Sequence, residues 1–383
     1  MLRLRIKQLV GMLSLICLAS SDVVIAAGAL DKGHGALLYD AMQRSGPDSA
    51  RTNVPGQWKE NILAFNAGAT ASTQILRLYP YSGDIEMYCT GLNDDCIYSG
   101  PKQNVFVYYA PKAGHGQASV AAYRAAFPKA TIMPIIDGST KSTLLKALGS
   151  SEVGTRTADL VAETVCADLN VDGVFFDLEP LDIAIPGQFA FYKEISHKFS
   201  SALCIDEKHP EGRVFGVFLS PYKISDWGAL ADAFGSNGYA AVSAYDVGDV
   251  MPPVPVNIRR YIASVRGMLI SMDKASKANK IPYTVVIPAA SSFSEFEKFG
   301  FYDASLPPPN FKLQTDYTSY GITQLAYIKA VHKIIRERAK SAHYMGTDYW
   351  AWSQFKSPDP KKNQMLLPAI PEGDVVTYLQ QYG

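Results

Sequence analysis

The run Val171-Asp172-Gly173-Val174-Phe175-Phe176-Asp177-Leu178-Glu179-Pro180 settles the architecture of this chain. Its first part is apolar, with β-branched and aromatic residues, as in a strand buried on both faces. It then ends in acids. A strand that is greasy along its length and acidic at its carboxyl tip belongs in a parallel sheet, where chemistry collects at the strand ends. Side chains alternate across a strand, so Phe175, Asp177 and Glu179 share one face and Val174, Phe176 and Leu178 the other. Two carboxylates two residues apart on one face stand roughly 6–7 Å from each other, given the strand rise. In a partly dry pocket each charge disfavours the other, so one of the pair tends to hold a proton near neutral pH. A protonated acid beside an ionised partner is what acetal cleavage needs. Taken alone, the pattern also fits a strand end whose acids cap a helix or pair with arginine.

Around this run, apolar strands alternate with helical spacings. Val105–Tyr109, Thr131–Ile136, Val214–Leu219, Tyr239–Tyr245, Tyr283–Ile287 and Thr347–Trp352 read as strands. Ala118–Phe127, Lys141–Leu169, Phe189–Cys204, Trp227–Phe234, Ile258–Ala278 and Ile322–Lys340 read as helices. The acidic strand brings the strands to seven. An eighth comes from Ile62-Leu63-Ala64-Phe65-Asn66 or from Ile75-Leu76-Arg77-Leu78-Tyr79, and the sequence does not choose between them. Residues 28–58 otherwise read as loop, with one short helix near Ala36–Arg44. Eight strands separated by crossovers predict an α/β fold, a (β/α)8 TIM barrel with insertions.

The first residues carry Arg3, Arg5 and Lys7, then an apolar stretch from Leu9 to about Ala19, then the small-residue site Val24-Ile25-Ala26-Ala27. That is the layout of a secretory signal peptide over residues 1–27, and its apolar core is too short for a stable membrane span. Residues 28–383 then form a single domain, secreted or periplasmic, with no membrane attachment after cleavage. The 36 basic and 36 acidic residues balance, so no basic face for nucleic acid is implied. The 22 Tyr and 17 Phe suit a surface that stacks on sugars. After processing, Cys89, Cys96, Cys166 and Cys204 remain, an even set that predicts two disulfides in an exported chain. Cys89 with Cys96 and Cys166 with Cys204 is one pairing, and others stay open. No Cys-x-x-Cys and no His cluster exists, so neither a metal nor another cofactor is expected.

Asp172-Gly173-x-x-x-Asp177-x-Glu179 resembles the β4 signature of the family 18 glycoside hydrolases, the chitinases and endo-β-N-acetylglucosaminidases. The family pattern is Asp-Gly-x-Asp-x-Asp-x-Glu, so Phe175 replaces the first inward aspartate. Tyr245-Asp246 resembles the family's Met-x-Tyr-Asp element, with Ser243 where Met is usual. Asp348, Trp350 and Trp352 read as one face of the last strand, where the family carries a Trp under the cleavage subsite; Trp350 matches best. On the third strand, Ile135-Ile136-Asp137-Gly138 departs from the family's Ser-x-Gly-Gly. The resemblance covers the third to the eighth strand.

It implies a glycan substrate containing N-acetylglucosamine, as in chitin, N-glycans or peptidoglycan, cleaved with retention. Glu179 would be the acid and base, Asp177 would orient the substrate's acetamide, and Tyr245 would hydrogen-bond its carbonyl. Asp246, Trp350, Trp352 and Asp172 would hold the sugar. Phe175 can neither donate nor ionise and would dry the base of the pocket. Two rivals stand beside this reading. One is a barrel that binds sugar without cleaving it. The other is a glycosidase of different design, in which Glu179 works with Asp246 or Asp137.

Overall fold

The computed structural model describes residues 30, 32–38, 55–89, 105–111, 117–138, 148–149, 151–178, 187–244, 258–288, 324–350, 352 and 373–383. The leader expected in residues 1–27 lies outside these.

The strands are β1 (His34–Leu38), β2 (Ile75–Cys89), β3 (Val105–Pro111), β4 (Thr131–Ile132), β5 (Ile135–Gly138), β6 (Gly173–Asp177), β7 (Val214–Leu219), β8 (Gly238–Ser243), β9 (Tyr283–Pro288) and β10 (Tyr344–Trp350). β1 pairs in parallel with both β2 and β10, which closes the sheet on itself. From β2 the ring passes through β4 and β5 to β6, β7, β8, β9 and back to β10, every pair parallel. β4 and β5 occupy one ring position, so the ring has eight, those of a (β/α)8 barrel. The helices are α1 (Pro55–Gly68), α2 (Gln117–Ala126), α3 (Ser151–Cys166), α4 (Gln188–Phe199), α5 (Trp227–Phe234), α6 (Ile258–Asn279), α7 (Gln324–Arg338) and α8 (Gly373–Tyr382).

The eight are not the eight expected. His34–Leu38 is the first barrel strand, where residues 28–58 read as loop and Ala36–Arg44 as helix. Ala36, Leu37 and Leu38 are all buried, and so short an apolar run does not betray its period in sequence. Ile62–Asn66 lies inside α1, with Ile62 and Phe65 buried three residues apart on one helix side. Ile75–Tyr79 is the true strand of the two candidates. Val105–Tyr109 is a strand but not a barrel strand. It pairs antiparallel with the far half of β2, from Gly83↔Pro111 to Cys89↔Val105, as a hairpin that lies against α3. Thr131–Ile136 is split because Pro134 brings no N–H to the ladder, although its carbonyl still accepts from Phe175 N at 3.0 Å.

Alternation on β6 sorts the side chains as the sequence indicates. Val174, Phe176 and Leu178 join the large core between strands and helices, and Phe175 joins the core inside the barrel. Phe176 packs edge-on against Phe191 of α4 and Phe215 of β7. Cys166 at the end of α3 is bonded to Cys204 in the turn after α4, across 38 residues, with Cα atoms 4.9 Å apart. Cys89 ends β2, and Cys96 lies outside the described residues.

Candidate active site

Asp177 is the last residue of β6 and therefore stands at the carboxyl end of the barrel. Its register partner on β5 is Asp137, whose own partner on β2 is Asp84. Three neighbouring strands thus place an aspartate at one level of the mouth. Glu179, Tyr245 and Asp246 lie outside the described residues. Ser243 closes β8, two residues before Tyr245. Trp350 closes β10 and packs, partly buried, against the core inside the barrel. The mouth therefore gathers the ends of β6 and β10, as the sequence reading requires.

Beneath the mouth the barrel is filled. Phe175 is fully buried, with its ring 4.8 Å from that of Tyr79. The Tyr79 hydroxyl donates to Asp348 Oδ2 at 3.0 Å and accepts from Tyr239 at 3.1 Å and from Arg77 Nε at 3.0 Å. Arg77 Nη2 donates to Asp348 Oδ1 at 2.9 Å and to the Gly33 carbonyl at 2.7 Å. Both members of this ion pair have no side-chain exposure. Burial alone would lower the Arg77 pKa, but the Asp348 carboxylate beside it, with Tyr79 and Tyr239, moves it above its ordinary value. Burial, then the Asp348 charge, raises the Tyr79 phenol. Both groups therefore keep their protons for these bonds. Two glycines make room. A Cβ on Gly35 would collide with Asp348 Oδ1 and the Tyr79 ring, and one on Gly216 with the Tyr239 ring. This network escaped sequence reading, though an arginine in the middle of an apolar strand was a signal for it.

Two other expected residues stand away from the mouth. Trp352 does not share a face with Asp348 and Trp350. β10 ends at Trp350, and Trp352 turns into the layer between strands and helices, 2 % exposed, edge-on to Phe65 at 4.9 Å. Its backbone N–H donates to Leu37 O at 2.7 Å, which fixes that departure. Asp172 precedes β6 at the opposite end from Asp177, about 17 Å away at the strand rise per residue. Its Oδ1 accepts from Lys208 Nζ at 2.6 Å and lies 2.9 Å from His209 Nε2. Its Oδ2 accepts from Arg124 and from Ile132 N, the latter at 2.7 Å. These bonds tie α2, the start of β4 and the turn before β7 to the foot of β6. The structure does not bring Asp172 together with Asp177. Among the described residues no group of three or more His, Cys, Asp or Glu could hold a metal ion.

No family model matches the sequence, and no curated protein matches it significantly. Solved structures match it in shape. A chitinase from Chromobacterium violaceum ATCC 12472 aligns with a TM-score of 0.50 at 11% identity, over 90% of this chain and 98% of that one. A chitinase from Bacteroides thetaiotaomicron aligns with a TM-score of 0.51 at 13% identity, over 92% of this chain and 97% of its own. At such identities the likeness is one of architecture: this chain shares the (β/α)8 barrel of solved chitinases.

Proposed function

We propose that the chain is a glycoside hydrolase acting on glycans that contain N-acetylglucosamine. The observation that carries this reading is the position of Asp177. It closes β6 at the end of the barrel where such folds do chemistry, two residues before Glu179. Glu179 protonates the glycosidic oxygen as the leaving sugar departs. The substrate's own acetamido oxygen attacks the anomeric carbon and forms a cyclic oxazolinium ion. Asp177 orients the amide and offsets its positive charge, and Tyr245 hydrogen-bonds the acetamido oxygen. Glu179 then takes a proton from the incoming water, which opens the ring with net retention. Trp350 offers its indole face to the sugar.

The register of Asp137 beside Asp177 favours one alternative, in which Asp137 serves as base for direct attack by water. The test is turnover of a fluorogenic N-acetylglucosamine oligomer by wild type and by Glu179→Gln. We expect the variant to lose about 10²–10⁴-fold in rate with unchanged thermal stability. An inverted anomeric product from wild type would select the Asp137 reading. Binding with no turnover by wild type would leave a sugar-binding barrel and end the enzymatic proposal.

A further inference from the structure

We propose that His209 is a proton-operated latch at the base of the barrel. While both its ring nitrogens carry hydrogen, it holds the turn before β7 to the foot of β6. Loss of one of those protons frees the turn.

The turn is Ile205-Asp206-Glu207-Lys208-His209-Pro210-Glu211-Gly212, between the disulfide at Cys204 and Arg213. Its shape is set locally. The Asp206 side chain accepts from the backbone N–H groups of Lys208 and His209 at 2.9 and 2.8 Å, as aspartates do in turns. Asp206 and His209 also bond each other through the main chain. Gly212 supplies a positive φ, and a Cβ there would strike the Phe199 carbonyl. This geometry carries the His209 side chain, 8% exposed, to the foot of β6.

Each ring nitrogen there meets a carboxylate. Nδ1 lies 2.9 Å from Asp206 Oδ1, and Nε2 lies 2.9 Å from Asp172 Oδ1. An ionised carboxylate only accepts, and a neutral imidazole has a single N–H. Both contacts are bonds only if the ring is doubly protonated or one acid holds the proton. The acids have no room for it. Asp206 Oδ1 already takes the two backbone N–H groups. Arg213 Nη1 stands 2.8 Å from Asp206 Oδ2 as an ion pair, though not aligned for a hydrogen bond. Asp172 Oδ1 takes Lys208 Nζ at 2.6 Å, and its Oδ2 takes Arg124 and Ile132 N. All four oxygens face a donor or a cation from elsewhere, so the proton sits on the ring.

The wider charges do not reverse this. Arg124, Lys208 and Arg213 lie beyond the two carboxylates and disfavour a cation on the ring. The carboxylates touch it and favour one, and the nearer charges weigh more. Glu207 and Glu211 of the same turn stand exposed. Without its second proton the ring would turn a lone pair on a carboxylate oxygen, and one contact would become repulsive. A histidine in water is half protonated near pH 6.5. The tie is therefore whole below that value and is lost on the alkaline side of it.

The test does not depend on turnover. Protein with ¹⁵N-labelled histidine rings is titrated from pH 6 to 9, and His209→Gln assigns the signal. We expect both His209 nitrogens to keep imidazolium shifts at pH 7.5, where a free histidine is about ten to one neutral. Hydrogen exchange at the Lys208 and His209 amides, corrected for the intrinsic rate at each pH, reads the turn itself. Opening should rise about tenfold or more between pH 6.5 and 9 in wild type, and the position 208 amide should show no such rise in His209→Gln. That range lies below the titration of ordinary lysines. Asp206→Asn removes one acid and keeps an acceptor for the turn, so it should move the ring's titration back towards 6.5. A His209 ring neutral at pH 7.5, a titration unmoved by Asp206→Asn, or an opening that rises equally in His209→Gln would each overturn the proposal.

Discussion

At the base of the barrel Asp172 leads into β6, and at the mouth Asp177 ends it. The two are the same residue type on one short stretch of chain. Asp172 is held by Arg124 from one segment and by Lys208 and His209 from another. A level higher, inside the barrel, Asp348 is answered by Arg77 and Tyr79. At the mouth the register neighbours of Asp177 are Asp137 and, through it, Asp84. The lower barrel spends its polar groups on one another. The upper end brings three aspartate positions to one level of the sheet. The dividing level is Phe175, which seals the inner core below Asp177.

The sharpest way to break this contrast is to move the boundary. Phe175→Asp would remove an aromatic ring from a fully buried place and leave a carboxyl group there. We expect a loss of more than about 5 kcal/mol, from the vacated packing and the desolvated acid together, read as a fall in the urea midpoint. A variant that stayed stable and turned over faster would mean that residue 175 belongs to the mouth.

Next in size is Arg77→Met, which leaves Asp348 charged and buried without its partner. The expected cost is about 3–5 kcal/mol. The double change Arg77→Met with Asp348→Leu should recover much of it, because breaking a buried pair costs more than replacing it. Full additivity of the two single losses would show that the pair is not a unit.

The residues that sequence reading placed well are those whose patterns are local. Val214–Leu219 and Trp227–Phe234 have the bounds that periodicity predicts, one bordered by turn residues and the other capped by Asp226, whose side chain accepts from Ala229 N at 2.9 Å. The two faces of β6 followed from alternation alone. What escaped depends on partners far along the chain. β1 is a strand because β2 and β10 flank it, and both come later in the chain, beginning at Ile75 and Tyr344. Val105–Tyr109 looks like any barrel strand until its antiparallel partner is known. Trp352 was grouped with Trp350 by counting in twos, a rule that lapses once the chain leaves the sheet. In the candidate site, Asp177 and Trp350 come to the mouth as read, because both are strand-end residues in a parallel barrel.

A smaller effect tests Asp172 itself. Asp172→Asn keeps the shape but weakens the contacts to Arg124, Lys208 and His209 at a side chain only 13% exposed. The expected loss is about 2 kcal/mol of stability, since charge-assisted bonds contribute about 1.5–3 kcal/mol. Turnover at a temperature where the variant stays folded should not change. A tenfold drop in rate at unchanged stability would return Asp172 to the sugar site and dissolve the contrast between the two ends.

The mildest test uses pH, and it reads the base alone. Burial, then the Arg77 charge, lowers the His34 pKa to about 4, and burial lowers that of His332 to about 3. An unfolded histidine titrates near 6.5. Between these values the unfolded chain binds more protons than the folded one, so stability rises with pH. The contribution is fully present above the unfolded value and is lost as pH falls from about 6.5 towards 4 for His34 and towards 3 for His332. Each ring should remove about 1 kcal/mol between pH 6.5 and 5.5, a window above the range in which ordinary carboxylates titrate. Urea midpoints at these two pH values should differ less in His332→Leu than in wild type, by about the share of one histidine. If the difference were unchanged, His332 would have to be protonated in the folded protein. An already charged ring would then have been answering acids at the base, and the two ends would differ in how many acids they hold rather than in how those acids are neutralised.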